Sequence, residues 1–360
     1  MNAPHPDAFH AYLAASEQRS PLFVRGDAAE VLPNLANESV DFCMTSPPYW
    51  GLREYGAGGI GQEATVQEYI AKLVSVFGAV KRVLKPTGSF WLNMGDTYQH
   101  KSLYGVPWRL AIALVDSQGW VLRNGIVWHK VKGGLDQSSD KLRNVHEYVF
   151  HFVKQPKGYF YDADAVKSDP RKSKVVGGAV VSATGVSGVR YHRQIELSTS
   201  LSDAEKTRAQ EGLDQILDQV RGGELSDSRM IIRGQQRTTH SDASGVSGRA
   251  KELAQKGFYF LKYDPKGTKP SDVWEMIPEY TRLRGLHYAP SPESLCLIPL
   301  LATCPEDGIV LDPFCGTGTT NAAAFKLGRK SIGIDLCQDY LDYAKRRVFT
   351  LFIQNAPFVG

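Results

Sequence analysis

Apolar positions along the first third of the chain follow two rhythms. Short runs at Leu22–Arg25, Val40–Thr45 and Ser89–Asn93 have the length and apolar, aromatic character of buried strands. Between the last two, Ile70, Leu73, Val74, Phe77, Val80 and Leu84 recur at three- and four-residue steps. That spacing predicts a helix over Val66–Leu84, stopped by Lys85-Pro86-Thr87-Gly88. A helix over Pro107–Gln118 and strands over Val121–His129 and His146–Val153 continue the alternation. Strands alternating with amphipathic helices predict an α/β fold around a mostly parallel sheet.

The interval 154–270 changes character. Lys172–Arg190 and Arg233–Arg249 are dominated by Gly, Ser, Val and basic residues, and only Ser202–Arg221 has a helical pattern. Such a stretch reads either as a linker or as a loop-rich module that orders on a ligand. After Asp272 the alternation returns. A helix over Pro292–Ala302, with Ser291 at its cap and Pro292 at its first position, precedes a strand at Gly308–Leu311. The glycine-rich loop Asp312–Thr320, a helix to Leu327, a strand at Ser331–Ile334 and a helix over Gln338–Phe349 follow. Three stretches result: 1–153 and 271–360 as two halves of one sheet, and 154–270 between them.

Composition narrows this little. A 42% hydrophobic and 22% charged chain of 360 residues is an ordinary globular protein, which sets fibrous and disordered classes aside. A net charge of +4 suits a polyanionic partner without selecting one. The five cysteines, Cys43, Cys296, Cys304, Cys315 and Cys337, form no CxxC pair, so neither a disulfide framework nor a metal site is expected, and a reducing cytoplasm fits. No basic start leads into an apolar run, and no stretch of eighteen apolar residues occurs; export and membrane insertion are not expected.

Two loops carry candidate chemistry. Val40–Thr45 runs into Ser46-Pro47-Pro48-Tyr49-Trp50, where consecutive prolines remove two N–H donors and stiffen the backbone. The Ser46 hydroxyl and Pro47 carbonyl would then face one small space as acceptors, with the Tyr49 ring placed to stack on a planar ligand. Paired acceptors suit an exocyclic base amine, a poor nucleophile whose lone pair is delocalised into its ring. The second loop, Asp312–Thr320, lies between a strand and a helix, where glycines admit close approach and the helix start favours an anion. It lacks the GK[ST] of a phosphate loop, and Asn321 replaces the third glycine of a dinucleotide fingerprint. Asp335 ends the next strand, where an acid commonly meets ribose hydroxyls. Both loops fall at carboxyl ends of expected parallel strands, so donor and acceptor are expected in one crevice.

Thr45-Ser-Pro-Pro-Tyr-Trp50 together with Asp312-Pro-Phe-Cys-Gly-Thr-Gly-Thr-Thr320 resembles the amino-group DNA methyltransferases of the β class, with the catalytic motif first and the cofactor motif last. Gly26-Asp27, Trp128-His129-Lys130, His146-Glu147-Tyr148 and His287–Glu293 extend the likeness. The resemblance implies a seven-stranded Rossmann-like sheet, S-adenosyl-L-methionine as methyl donor, a flipped base in double-stranded DNA and a target-recognition region in 154–270. Ser46, Pro47, Pro48 and Tyr49 match the catalytic motif. Asp312, Pro313, Phe314, Cys315, Gly316, Thr317, Gly318, Thr319 and Thr320 match the loop around the methionyl part, Asp335 the ribose-binding acid and Asp27 the adenine contact. Serine at position 46 is the cytosine-N4 form of the motif; adenine-N6 enzymes usually carry Asp or Asn there. An adenine-N6 enzyme and an inactive DNA-binding subunit are the alternatives. Cytosine C5 chemistry needs Pro-Cys, whereas this chain has only Cys304-Pro305. A cognate restriction endonuclease would be a partner in the same system without implied contact, and the protein itself a monomer or homodimer.

Candidate DNA contacts are Trp50, Arg171, Lys172, Lys174, Arg190, Arg193, Arg229, Arg233, Arg237 and Arg249. Acidic neighbours Asp203, Asp214, Asp218 and Asp227 interleave with them, so the assignment belongs to the group. The other tryptophans read as core or groove-lining residues, Asp96 as a loop aspartate near the site, and His129, His146 and His287 as packing or capping residues.

Overall fold

The computed structural model describes residues 6–15, 19–51, 59–131, 138–234, 248–279 and 291–355. The chain forms two compact units, Met1–Ala165 with Ser271–Gly360, and Val166–Pro270. Arg237 and His287 lie outside the described residues.

In the first unit, besides a two-residue hairpin of Tyr98–Gln99 with Ser102–Leu103, the strands are β1 (Leu22–Arg25), β2 (Val40–Thr45), β3 (Leu84–Met94), β4 (Val121–His129), β5 (His146–Val153), β6 (Val273–Glu275), β7 (Ile309–Asp312) and β8 (Lys330–Asp335). Its helices are α1 (Pro6–Ala14), α2 (Val66–Val83), α3 (Val106–Gln118), α4 (Glu293–Thr303), α5 (Thr319–Lys326) and α6 (Gln338–Asn355), besides the single turn Ala28–Val31. The strands form one sheet in the order β1-β8-β7-β2-β3-β5-β4-β6, in which only β5 opposes the others. The expected α/β sheet is present with eight strands instead of seven. The addition is β6, three residues paired with the end of β4, too short to leave a periodic signal.

Alternation along the strands fills two cores. Cys43, Phe90 and Leu92 join Leu73, Phe77 and Val80 of α2 and Leu110 and Leu114 of α3. Phe42, Met44 and Trp91 join Leu295 and Leu300 of α4 and Ala323 and Ala324 of α5. Helices on both faces keep the strands apolar on both sides, which makes the sheet doubly wound.

Two local expectations change. Helix α2 ends at Val83, as the Lys85-Pro86-Thr87-Gly88 stop predicts, but β3 begins at Leu84 directly after it and not at Ser89. The ladder to β2 jumps from Val40↔Leu84 to Phe42↔Ser89, so the four residues form an irregularity inside the strand. Asp41 pins it: both carboxylate oxygens take the Lys85 ammonium (2.8 and 2.9 Å), and one also accepts from the Ile309 N–H (2.9 Å). Helix α4 starts at Glu293 with Pro292 at the cap position and no side-chain cap, so Ser291 is released for another contact.

The second unit carries more order than its composition suggests. Among the described residues, three helices (Ser187–Glu196, Asp203–Arg221, Gly248–Lys256), an antiparallel pair of Asp227–Ile232 with Phe258–Tyr263, and a small three-stranded sheet surround a core of Tyr191, Ile195, Leu213, Leu217, Met230 and Ile232. Ser202 and Glu205 close a capping box at the start of the long helix, the one the sequence pattern had marked. Residues 154–165 belong to the first unit.

Candidate active site

Strand order brings the two loops together. β7, which leads into the glycine loop, pairs directly with β2, which leads into the Ser-Pro-Pro turn, through Val310↔Phe42 and Leu311↔Cys43. At their carboxyl ends the Thr45 hydroxyl donates to Asp312 Oδ1 at 2.6 Å, and the Phe314 N–H reaches the same oxygen at 3.2 Å. Burial pushes the Asp312 carboxyl up to about 6, against the opposing pull of hydrogen bonds from Thr45, Thr320 and Phe314.

The glycine loop is held mostly by main chain. Cys315 N–H donates to the Ile334 carbonyl (2.9 Å), Gly318 N–H to the Cys315 carbonyl (2.8 Å) and Gly316 N–H to Asp335 Oδ2 (2.9 Å). Asp335 Oδ1 accepts from Cys337 N–H (2.8 Å). Burial nonetheless raises the Asp335 carboxyl above its ordinary value. Gly318 adopts φ +74° and opens α5; a Cβ there would meet the Ala344 Cβ at 2.7 Å, so α6 packs against a position only glycine fills. Arg347 of α6 donates to the Thr319 hydroxyl (3.1 Å) while paired with Glu293 (2.7 Å) and Glu279 (3.2 Å), tying the loop's last residues to α4. Thr317 and Thr320 are buried, and Phe314 packs edge-on to Phe77. Cys315 is a buried thiol raised well above its ordinary value, which leaves it packing material and no nucleophile.

Asp27 takes the structural role open to such a residue. Its Oδ1 accepts from Ala29 N–H (2.8 Å) and caps Ala28–Val31, while the preceding Gly26 N–H donates to the Asp335 carbonyl (3.0 Å). Asp27 and Asp335 therefore stand on adjacent strand ends.

The Ser-Pro-Pro turn draws side chains from elsewhere. Tyr69 of α2 donates its hydroxyl to the Pro48 carbonyl at 2.7 Å, and the Tyr49 ring lies over Gly95, whose added Cβ would meet it at 2.9 Å. Tyr49 donates to Glu147 Oε2 at 2.8 Å; burial and that carboxylate raise its phenol well above the ordinary value. Asn93, the polar residue near the end of β3, lies 2.9 Å from Ser46 Oγ through its Nδ2. Because β5 opposes its neighbours, its first residues, His146 and Glu147, reach the same edge as the last residues of β2, β3 and β4. Lys130, just past β4, pairs with Glu147.

Asn93, Glu147, Lys130, Tyr69, Ser291 and Arg347 were not singled out from sequence as site residues. The available signal was an asparagine directly after the apolar run Phe90–Leu92. Asp96 spends its Oδ1 on the N–H groups of Thr97 (2.8 Å) and Val106 (2.9 Å), fixing the start of α3. His129 lies 3.6 Å from Glu275 and His146 packs edge-on to Tyr148.

One proposed DNA contact is corrected, and three others have partners of their own. Trp50 is buried, donates its indole N–H to the Glu63 carbonyl (2.9 Å) and packs on Tyr104, so it belongs to the core. In the second unit Arg171 is paired with buried Asp227 (2.6 Å), Arg233 with Glu205 (3.1 Å) and the Ser200 carbonyl (2.7 Å), and Arg190 lies over the Tyr191 ring at 4.2 Å. Each of these three guanidiniums has a partner within its own unit, and Arg171 stays exposed beside its partner. Lys172, Lys174, Arg193, Arg229 and Arg249 are exposed.

The chain is similar to known proteins over most of its length. Residues 40–346 match the model of a DNA methylase family, the N6/N4 methyltransferases. The type II methyltransferase M.Cfr9I of Citrobacter freundii is 37% identical over 90% of this chain and 86% of its own. M.SmaI of Serratia marcescens, also a type II methyltransferase, is 28% identical over 92% of each chain. Among solved structures, the cytosine-N4-specific PvuII DNA methyltransferase shares the fold at a TM-score of 0.53, with 16% identity over 91% of this chain and 87% of that one. The match of the family model across both loops and the strands between them places this chain in the N6/N4 family of DNA methylases.

Proposed function

We propose that the protein transfers a methyl group from S-adenosyl-L-methionine to the N4 amine of cytosine in double-stranded DNA, with the target base flipped out of the duplex. The observation that carries this reading is the 2.6 Å bond from Thr45 to Asp312, which sets Ser46 and the glycine loop side by side at one sheet edge.

The methyl donor of this family is S-adenosyl-L-methionine, which supplies an electrophilic methyl on a sulfonium when bound. The residues fit it. Gly318 leaves no room for a side chain where α5 begins, a helix start suited to a carboxylate, and Asp335 is held by two backbone N–H groups at the end of β8. Asp312 through Thr320 would hold the methionyl part, Asp335 the ribose and Asp27 the adenine side. The Ser46 hydroxyl and Pro47 carbonyl accept the two amine hydrogens and draw the nitrogen lone pair out of the ring, Tyr49 stacks on the base, and one amine proton is lost to solvent as the N–C bond forms and the sulfonium–methyl bond breaks. A neutral hydroxyl at position 46 suits N4 of cytosine. The second unit supplies target recognition, with Lys172, Lys174, Arg193, Arg229 and Arg249 on DNA.

Ser46→Ala and Tyr49→Ala are expected to cut transfer of labelled methyl to DNA by about 100-fold or more while donor binding, read by calorimetry, survives. Wild-type turnover in both variants would contradict the assignment.

A further inference from the structure

We propose that Asn93 is a positioning residue for Ser46 and Tyr49, anchored in turn by the Glu147–Lys130 pair; the inference rests on the reading of Ser46 and Tyr49 as catalytic. Asn93 is 1% exposed, and its Nδ2 faces Ser46 Oγ (2.9 Å), Glu147 Oε2 (3.0 Å), Tyr49 Oη (3.3 Å) and Ser291 Oγ (3.5 Å). An amide has two hydrogens, and the two shortest contacts assign them to Ser46 and Glu147. Tyr49 donates its own hydrogen to Glu147 Oε2 at 2.8 Å, and Lys130 compensates the other carboxylate oxygen. Both Asn93 amide hydrogens and the Tyr49 hydroxyl hydrogen thus have acceptors.

The consequence falls on Ser46. A serine hydroxyl has two lone pairs and rotates freely about its Cβ–Oγ bond. One hydrogen from Asn93 occupies one lone pair and fixes the oxygen, which leaves the other to accept from a base amine. Glu147 fixes the Tyr49 ring and the Asn93 amide through a single oxygen, so the hydroxyl and the stacking ring are placed by one chain of bonds from β4, β5 and β3. The Asn93 Oδ1 is buried with no hydrogen-bond partner. A buried acceptor left unpaired is costly, and here the amide is oriented for its donor side at the expense of its acceptor. The same arrangement explains two segments that the proposed chemistry does not otherwise use, Trp128-His129-Lys130 and His146-Glu147-Tyr148.

The test is a double-mutant cycle on kcat with the full chain, duplex DNA and saturating labelled donor, using Asn93→Leu, Ser46→Ala and their combination. Leucine is near-isosteric and keeps the buried site filled. Asn93→Leu is expected to lower kcat by about 30- to 100-fold with donor affinity unchanged, and to cost less than about 3-fold more once Ser46 is alanine. A wild-type rate for Asn93→Leu, or a full multiplicative loss in the double variant, overturns the proposal. A wild-type rate for Ser46→Ala would instead remove the catalytic reading beneath it. If Asn93→Leu fails to bind donor, the pair Glu147→Gln and Tyr49→Phe reads the same network: sub-multiplicative losses support it and multiplicative losses overturn it.

Discussion

At the β7–β8 end of the sheet's carboxyl edge, backbone amides do the holding: Gly316, Cys337 and Phe314 donate N–H groups to Asp335 and Asp312. At the β2–β3–β5 end the same task falls to side chains, with Asn93, Tyr49, Glu147 and Lys130 arriving from separate segments. Main-chain holding depends on backbone conformation and tolerates changes of side chain except at glycines. Side-chain holding depends on residue identity at scattered positions, and each contact can be removed alone. Loss at the first end should therefore appear as lost donor binding, and loss at the second as lost turnover with binding intact.

Gly318→Val gives the largest expected effect. At φ +74°, with Ala344 only 2.7 Å from the added Cβ, a branched side chain must displace the loop. Donor affinity measured by calorimetry should fall by about 100-fold or more while the circular dichroism spectrum is kept. Retained affinity would show that the loop conformation does not set donor binding.

Asp312→Asn separates stability from function at the same end. Its carboxyl stands at about 6, above the ordinary 3.8, so the folded protein holds this proton more tightly than the unfolded chain. The cost of the charge is absent below about pH 4, grows as pH rises through 6 and is full above it. The variant should gain about 1–3 kcal/mol over wild type at pH 8, little or nothing at pH 4, and lose donor affinity. Denaturant melts at the two pH values read this; equal differences at both would contradict it.

The smallest effects lie in the second unit, which serves as the outside comparison. Arg193→Ala should weaken DNA binding by about 3- to 10-fold and lower the slope of log affinity against log salt by about 1, with donor binding unchanged. Arg171→Ala, which strips the ion-pair partner from buried Asp227 and leaves it only the hydrogen bonds from Ser173 and Ser228, should destabilise that unit by about 1–3 kcal/mol and leave the salt slope of the folded protein alone. Reversed outcomes would return Arg171 to the DNA surface.

The contrast between the two ends also explains what the sequence made legible. Asp312–Thr320 and Ser46–Tyr49 are contiguous and sit at strand ends, so local pattern located them and the alternation of elements supplied the sheet. Asn93, Glu147 and Ser291 are single polar residues whose meaning depends on pairing of β3 with β5 and on where α4 begins. Periodicity carries neither. Lys85–Gly88 was read as a break, and a break in the ladder is present; only the tertiary pairing of Ser89 with Phe42 shows that the strand spans it. Trp50 and the guanidiniums of Arg171, Arg190 and Arg233 look like ligand contacts until their partners, Glu63, Asp227, Tyr191 and Glu205, are in view.

In the proposed reaction the Ser46 hydroxyl, held beside the glycine loop, orients the N4 amine of cytosine to take the methyl group of S-adenosyl-L-methionine. Duplex DNA incubated with the protein and isotope-labelled S-adenosyl-L-methionine, digested to nucleosides and separated by mass spectrometry, tests it directly. Labelled N4-methylcytosine is the predicted product; label in N6-methyladenine would contradict the account.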